Sequence, residues 1–159
     1  MHALEIVAPA FVEMAHRIVW SVAATTRRDG RPRTRVLHPI WEWDGVSLTG
    51  WIATSPNSPK AGDIEHMPFV SLTYWHPSQD TCSAECDARF ETSAAERRAG
   101  WTRFAEGPEP VGYDPSIIPQ WDSPESAEFG VLRLTPRYLR VRPATLMLQQ
   151  VGELLTWKA

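Results

Sequence analysis

The pattern of hydrophobic and polar positions along the chain predicts a protein built mainly from short strands. Apolar and polar residues alternate with the period of two that is typical of a strand with one buried face. In the first such segment, Ile18, Trp20, Val22 and Ala24 share one face. The pattern predicts strands over seven segments, namely Ile18–Thr26, Arg33–Trp43, Val46–Ala53, Phe69–Trp75, Thr81–Phe90, Phe129–Thr135 and Tyr138–Arg142.

Turn and helix signals separate these strands. The Asp-Gly pairs at 29–30 and 44–45 predict tight hairpin turns, which make the first three strands an antiparallel meander. Apolar spacing predicts a helix over Pro9–Arg17, with Pro9 in its first turn. The turn-forming loop Thr54–Pro59 predicts a second helix over Lys60–His66, which Pro68 ends. Ser93, with Glu96 three residues later, predicts a capping box for a helix that runs through Phe104.

The C-terminal third is richer in proline. Five prolines between Gly107 and Ser126 predict an ordered loop that contains single helical turns. The tail Ala144–Ala159 fits either a helix or a strand. Taken together, the elements predict a mainly β (α+β) protein, in which six or seven short antiparallel strands form a closed or nearly closed barrel with a few short helices.

Composition narrows the class of protein. The length of 159 residues fits one domain, residues 1–159, and 43% hydrophobic residues are enough for a core. A formal net charge of −3 gives no general reason to expect nucleic acid or an anionic membrane as a partner. Cys82 and Cys86 form no disulfide framework, and neither a signal peptide nor a membrane-spanning apolar run is present, so we expect a cytoplasmic protein.

The segment between the third strand and the second helix carries the clearest candidate site. Ser58 fits the N-cap, Pro59 the first helical position and Lys60 the first turn. A lysine there repels the positive end of the helix dipole, and an anionic ligand resolves that conflict. The Thr54 and Ser58 hydroxyls add donors. A surface lysine on an ordinary capped helix is the structural alternative.

A basic run from Arg27 to Arg35 allows two interpretations. The tripeptide Gly30-Arg31-Pro32 resembles the core of a minor-groove DNA hook, but here it joins two apolar-patterned strands in an acidic protein. In a strand, Arg33 and Arg35 lie on one face. We expect Arg35, beside the start of the second helix, to clamp a phosphate.

Three segments carry a resemblance to a known family. They are Gly30-Arg31-Pro32-Arg33-Thr34-Arg35-Val36, Thr54 through Ala61, and Asp63 through Leu72. In order and spacing they resemble the pattern G-x-P-x-x-R-x-V, T-x-x-x-S-x-K-A and N-P-x-V-S-L of the pyridoxamine 5'-phosphate oxidase-like, FMN-binding split-barrel family, within the flavin/deazaflavin oxidoreductase superfamily. The match covers about the first half of the chain.

The resemblance implies a cofactor site. Arg35 would hold the FMN phosphate together with Lys60 and Ser58, while Ala53 and Thr54 would lie along the flavin ring and ribityl chain. Pro59 stands where the oxidase often has an arginine. The implied cofactor-binding set is Arg33, Arg35, Val36, Ala53, Thr54, Ser58, Pro59 and Lys60.

The resemblance also implies an activity and an assembly. The family forms homodimers with the cofactor at the subunit interface, and it transfers hydride between the flavin and a small organic substrate. Relatives use the deazaflavin coenzyme F-420 or bind heme, so both stay as alternatives to FMN. No acid or base side chain is required, and we nominate no catalytic residue and no metal ligand. The oxidase's Arg-x-His signature is not evident in Val141–Ala159, which argues against a vitamin B6 oxidase. A protein that binds flavin or heme without turnover is the competing hypothesis.

Overall fold

Eight antiparallel strands form one sheet in a computed structural model that describes residues 1–159. The strands are β1 Ser21–Thr26, β2 Pro32–Leu37, β3 Pro39–Trp43, β4 Leu48–Ala53, β5 Phe69–Trp75, β6 Thr81–Glu91, β7 Val131–Arg142 and β8 Leu155–Lys158. The helices are α1 Leu4–Ile18, α2 Pro59–His66, α3 Ala94–Ala105 and α4 Ala144–Gln149, with a single 3-10 turn at Pro115–Ile117. None of these helices has the length and hydrophobicity that a membrane-spanning helix requires.

The strand order explains why the barrel is split. The order is β2-β1-β5-β6-β7-β4-β3, with β8 added to β7. β2 and β3 follow each other in the chain but lie at opposite ends of this order. The sheet is therefore not closed, and the predicted mainly β, split-barrel class is confirmed with eight strands instead of six or seven.

The predicted strand Arg33–Trp43 is wrong, because the chain makes two strands there. Pro39 has no N–H to donate to a ladder and restricts the backbone of His38, so β2 ends at Leu37 and β3 begins at Pro39. The chain crosses the split at this break. The first strands consequently form two separate hairpins, β1–β2 and β3–β4, and not the predicted meander.

Two other predictions are wrong because a proline lies inside an element and not at its end. Phe129–Thr135 and Tyr138–Arg142 are one strand, β7, because Pro136 lies where the β6–β7 register shifts between Glu85 and Cys86. A bulge accommodates the missing N–H there. Helix α1 begins at Leu4, so Pro9 is inside it and not in its first turn. Burial of Val7, Ala8, Phe11, Met14 and Ala15 stabilises this helix despite the lost hydrogen bond.

The other helix predictions are confirmed. Helix α2 begins one residue earlier than predicted, and the capping box of Ser93 and Glu96 is present at the start of α3. The proline-rich loop contains the 3-10 turn, and the tail forms both a helix and a strand. On β1 the predicted apolar face is the outer one, because Ser21, Ala23 and Thr25 are buried while Trp20 and Val22 are exposed.

Two apolar clusters hold the fold together. The larger packs α1 against the inner face of the sheet, where the Phe11 ring meets the rings of Trp41 and Tyr74 edge to face. The indole N–H of Trp41 donates to the Tyr74 hydroxyl at 2.8 Å, so both buried polar groups are satisfied. The smaller cluster lies beneath α3 and the proline-rich loop; it comprises Ile40, Ala53, Phe104, Val111, Trp121, Phe129 and Val131.

We expect the substitution Gly100→Ala to destabilise the protein, although alanine is the better helix former. A Cβ at Gly100 overlaps the side chain of the fully buried Val131. Helix propensity favours alanine by about 1 kcal/mol, but overpacking costs about 1–3 kcal/mol. Urea denaturation of G100A should therefore show a lower free energy of unfolding. In a Val131→Ala background the same change should stabilise, and equal losses in both backgrounds would refute the contact.

Candidate functional site

A lysine and two hydroxyls form a compact cluster where β4 leads into α2. The Lys60 ammonium donates to Thr54 Oγ1 at 2.6 Å and to Ser58 Oγ at 2.8 Å. Ser58 occupies the N-cap position, yet its hydroxyl donates to the Ser55 carbonyl at 2.7 Å and caps no backbone N–H of the helix. Pro59 is the first helical residue, as predicted. The positive end of α2 therefore has no side-chain cap.

Two arginines of β2 face the same helix. Arg33 and Arg35 each place a guanidinium nitrogen 3.7 Å from Oδ2 of Asp63, which lies on α2 and is only 7% exposed. The Thr25 hydroxyl donates to that oxygen at 2.8 Å. Arg35 also donates to the Ala23 carbonyl at 3.4 Å. Helix α2 thus connects β2, at one end of the strand order, with the end of β4 near the other.

The electrostatics of this cluster favour an anion. Burial lowers the pKa of Arg35, and the neighbouring charge of Asp63 opposes that shift. Burial, and then the charge of Arg35, lower the pKa of Lys60. Arg33, Arg35 and Lys60 carry three positive charges against the single negative charge of Asp63. Two positive charges are left without a partner inside the cluster, and an anionic ligand would neutralise them.

The cluster opens onto a hollow of about 340 Å³, lined by Arg33, Thr34, Arg35, Pro59 and Lys60. We call this hollow, with Thr54 and Ser58, the anion site. It brings together six of the eight residues that the sequence analysis assigned to cofactor binding. The other two are separate: the Ala53 side chain is buried in the smaller apolar cluster, and the Val36 side chain is 60% exposed on the opposite face of β2.

The groups that hold the site in place were not predicted from the sequence. Asp63 and Thr25 are 38 positions apart, so only the three-dimensional register reveals their hydrogen bond. Glu128 accepts hydrogen bonds from Ser55 Oγ and Asn57 Nδ2, both at 2.8 Å, and holds the loop before α2. The one available signal was the spacing of Lys60 and Asp63, which places both on adjacent turns of one helix.

We expect Asp63→Asn to lower the free energy of unfolding by about 1–3 kcal/mol, because it leaves the partly buried guanidinium groups of Arg33 and Arg35 without a carboxylate. Inorganic phosphate should restore part of this loss by binding between the arginines, which raises the melting temperature of the variant more than that of the wild type. Thermal unfolding at constant ionic strength measures both effects. Asp87→Asn removes an exposed carboxylate that pairs with Arg137 at 3.3 Å, and serves as the control. An unchanged stability of D63N would contradict this account.

A second feature is an apolar surface on the outside of the barrel. Val22 of β1 lies beside Val36 of β2 and Thr73 of β5, and the side chains of all three point outward. Phe69 and Trp75 extend the surface along β5, and both are more than half exposed. We call Val22, Val36, Phe69 and Trp75 the outer apolar face. An exposed apolar patch of this kind is a candidate interaction surface.

The sequence matches no protein-family model and no curated protein. Solved structures share its fold. A protein from Clostridium acetobutylicum, related to general stress protein 26 of B. subtilis (pyridoxinephosphate oxidase family), aligns with a TM-score of 0.68 and 12% identity over 92% of this chain and 89% of its own.

Two further structures extend the comparison. A pyridoxamine 5'-phosphate oxidase-related, FMN-binding protein from Nostoc punctiforme PCC 73102 aligns with a TM-score of 0.59 and 17% identity, over 96% of this chain and 94% of its own. An F-420 reductase aligns with a TM-score of 0.56 and 14% identity, over 79% of this chain and 92% of its own. At these identities the likeness is one of fold, and it extends over most of each chain.

Proposed function

Because this chain has the split-barrel fold of the pyridoxamine 5'-phosphate oxidase-like proteins, we propose that it is an oxidoreductase that binds FMN through its phosphate. In this proposal the protein transfers hydride between the flavin and a small organic substrate. The observation that carries the proposal is the anion site, in which Lys60, Arg33 and Arg35 surround one hollow with two positive charges to spare.

The chemistry of the site fits a phosphate monoester. Such a group carries about −1.5 to −2 charges at pH 7, which matches the excess positive charge. Arg35 supplies planar paired donors and Lys60 a point charge. The uncapped start of α2 adds its dipole and the backbone N–H of Lys60, because Pro59 has no N–H and the N–H of Ala61 donates to the Ser58 carbonyl. Thr54 and Ser58 already orient the Lys60 ammonium, so little side-chain entropy would be lost on binding.

In this proposal the cofactor and the protein have different roles. A bound flavin supplies the hydride chemistry itself. The chain anchors the phosphate with Lys60 and Arg35, and Asp63 fixes the arginines in position. Glu128 holds the loop from which Thr54 and Ser58 project. No side chain in the anion site is required to move a proton.

A deazaflavin is the second candidate cofactor. The F-420 reductase among the structures of the same fold supports it, and the site would hold the phosphate of coenzyme F-420 with the same residues. Binding without turnover remains the competing function. Cys82 and Cys86 are free thiols in the core, and the chain has no disulfide; we therefore propose the cytoplasm, where thiols stay reduced.

We further propose that the outer apolar face joins two copies of this chain in a homodimer, with the cofactor at the interface. Val22, Val36 and Thr73 offer adjacent small uncharged side chains, with Phe69 and Trp75 beside them. Self-complementary apolar surfaces of this kind suit a twofold dimer. β2 carries the outward Val36 and the inward Arg35 at adjacent positions, so the anion site would lie close to the partner copy.

Reduction of the bound cofactor tests the proposed activity. The purified protein would be loaded with FMN, or with coenzyme F-420, and its absorption followed while NAD(P)H or a panel of small organic donors is added. Reduction of bound FMN, and its reoxidation by an organic acceptor at a rate above that of free FMN, would support the oxidoreductase. Tight binding of either cofactor with no turnover across the panel would favour the non-catalytic binder.

A further inference from the structure

Two arginines lie directly opposite each other on the outer face of the sheet. Arg89 of β6 is the register partner of Arg133 of β7, and like charges in opposed positions of a sheet repel each other. The two side chains line a hollow of about 500 Å³ together with Asp87, Ala88 and Thr135. We call it the arginine hollow. It shares no residue with the hollow of the anion site.

The carboxylates around the arginine hollow do not balance its positive charge. Glu91, which is only 7% exposed, is the one carboxylate within 4 Å of either arginine. Its Oε1 atom lies 3.4 Å from Arg89 Nη2 and 3.9 Å from Arg133 Nη1. Asp87 lies in the wall of the hollow but pairs with Arg137, at 3.3 Å. One positive charge of the two opposed arginines is therefore left without a partner.

Arg133 is the less satisfied of the two arginines. Its Nε atom is buried without a hydrogen-bond acceptor, and its contact with a carboxylate is the long one to Glu91. The guanidinium also lies 5.4 Å from the centre of the Trp51 ring. Val131, two positions earlier on the same face of β7, is fully buried in the smaller apolar cluster. Arg133 therefore lies at the edge of an apolar region, where an unpaired charge is costly and an added acceptor stabilises it.

We propose that the arginine hollow binds the carboxylate of a small organic acid. A carboxylate is planar and accepts paired hydrogen bonds from a guanidinium, which either of the two arginines can donate. Its single negative charge equals the unbalanced positive charge. A phosphate monoester carries about −1.5 to −2 charges and would exceed it. The Thr135 hydroxyl in the wall of the hollow adds a neutral donor.

The size and the lining of the hollow favour a free small molecule over a segment of another protein. Its volume of about 500 Å³ lies within the range of small-molecule sites. Its walls are charged or small side chains, and they offer none of the large apolar contacts on which the centre of a protein interface depends. The acid site is separate from the proposed cofactor site, and it does not depend on the proposed function.

Isothermal titration with a matched pair of ligands tests this inference. Benzoate and benzamide have nearly the same shape, but only benzoate carries a charge. The titrations would be made at constant ionic strength in the wild type and in K60A, which reduces competing binding at the anion site. In the K60A background, Arg89→Gln and Arg133→Gln each remove one charge from the arginine hollow. The control Arg140→Gln removes an exposed arginine of the same strand, β7, whose register partner is Ser83 and not another arginine.

We expect K60A to bind benzoate at least tenfold more tightly than benzamide. R89Q and R133Q should each weaken benzoate binding about tenfold or more, because each removes charge-assisted hydrogen bonds, and R140Q should leave it within twofold. If R133Q, which loses the contact with Trp51, does not fold, R89Q alone decides the test.

Three results would overturn the inference: equal affinities for benzoate and benzamide, an effect of R140Q as large as that of R89Q, or benzoate binding to the wild type that K60A abolishes. Phenyl phosphate bound more tightly than benzoate, in a manner that R89Q weakens, would overturn the assignment to a carboxylate. Failure of FMN to bind would reject the proposed function and leave this inference intact.

Discussion

Replacing Lys60 by alanine should weaken FMN binding by roughly 30- to 1,000-fold, and replacing Arg35 by alanine should have a similar effect. Each removes a charged donor from a partly buried phosphate contact, a loss of about 2–4 kcal/mol. The Lys60 ammonium hydrogen-bonds only to Thr54 and Ser58 and forms no ion pair, so K60A should fold normally. Fluorescence titration measures the affinities, and circular dichroism confirms the fold.

The control for these variants is Arg140→Ala, which removes an exposed arginine from β7. If K60A and R35A bind FMN as tightly as R140A does, the anion site does not hold the phosphate. Lys60→Arg keeps the charge and should retain most of the affinity. It therefore separates loss of charge from loss of shape.

The pH dependence of FMN binding tests independently whether the charge of Lys60 holds the phosphate. Burial and the charge of Arg35 lower the pKa of Lys60, so this ammonium loses its proton at a lower pH than an ordinary lysine. FMN affinity should consequently fall as the pH rises through that lowered pKa. The fall should be absent in K60R, because arginine stays charged. On the acid side, affinity should fall below about pH 6, where the phosphate becomes a monoanion.

Replacing Val22 by glutamate should convert a dimer into a monomer. Val22 is 49% exposed in the single chain and lies at the centre of the outer apolar face. An unpaired carboxylate buried in that interface would cost several kcal/mol, which is enough to dissociate most dimers at micromolar concentration. Analytical ultracentrifugation measures the mass. If the cofactor lies at the interface, FMN affinity should fall in the same variant.

The matched control is Val46→Glu. Val46 is 82% exposed in the turn between β3 and β4, beyond the outer apolar face. V46E should remain dimeric and should bind FMN like the wild type. A wild-type protein that is monomeric at high concentration, or a V22E variant that stays dimeric, would contradict the proposed assembly.

Local signals in the sequence predicted most of the helices, strands and turns. The Asp-Gly turns and the Ser93–Glu96 capping box depend on residues a few positions apart, and the structure confirms them. The errors come from interactions between distant segments. A proline is typical of a helix start, so Pro9 predicted one. The helix instead begins at Leu4, because packing five buried residues against the sheet stabilises it despite Pro9. Pro136 likewise predicted the end of a strand. The strand β7 continues through it, because a bulge in the β6–β7 pairing accommodates the proline.

The residues of the candidate site also fall into two groups, those that local sequence predicts and those that depend on contacts between distant segments. Thr54, Ser58 and Lys60 lie within seven positions, and their helix-start chemistry was evident from the sequence. The contacts of Asp63 with Thr25, Arg33 and Arg35 depend on how α2 packs beneath β1 and β2, which no local pattern reports. The outer apolar face was likewise invisible, because alternation divides a strand into two faces without saying which one is buried.

Comparison of FMN with riboflavin tests the central claim most directly, because the two differ only in the phosphate. Isothermal titration of the wild-type protein should give an affinity for FMN at least 100-fold higher than for riboflavin, as expected for a phosphate held by Lys60 and Arg35 at about 3 kcal/mol or more. In K60A and R35A the ratio should shrink towards one. Equal affinities for FMN and riboflavin in the wild-type protein, or a ratio that both variants leave unchanged, would contradict the account.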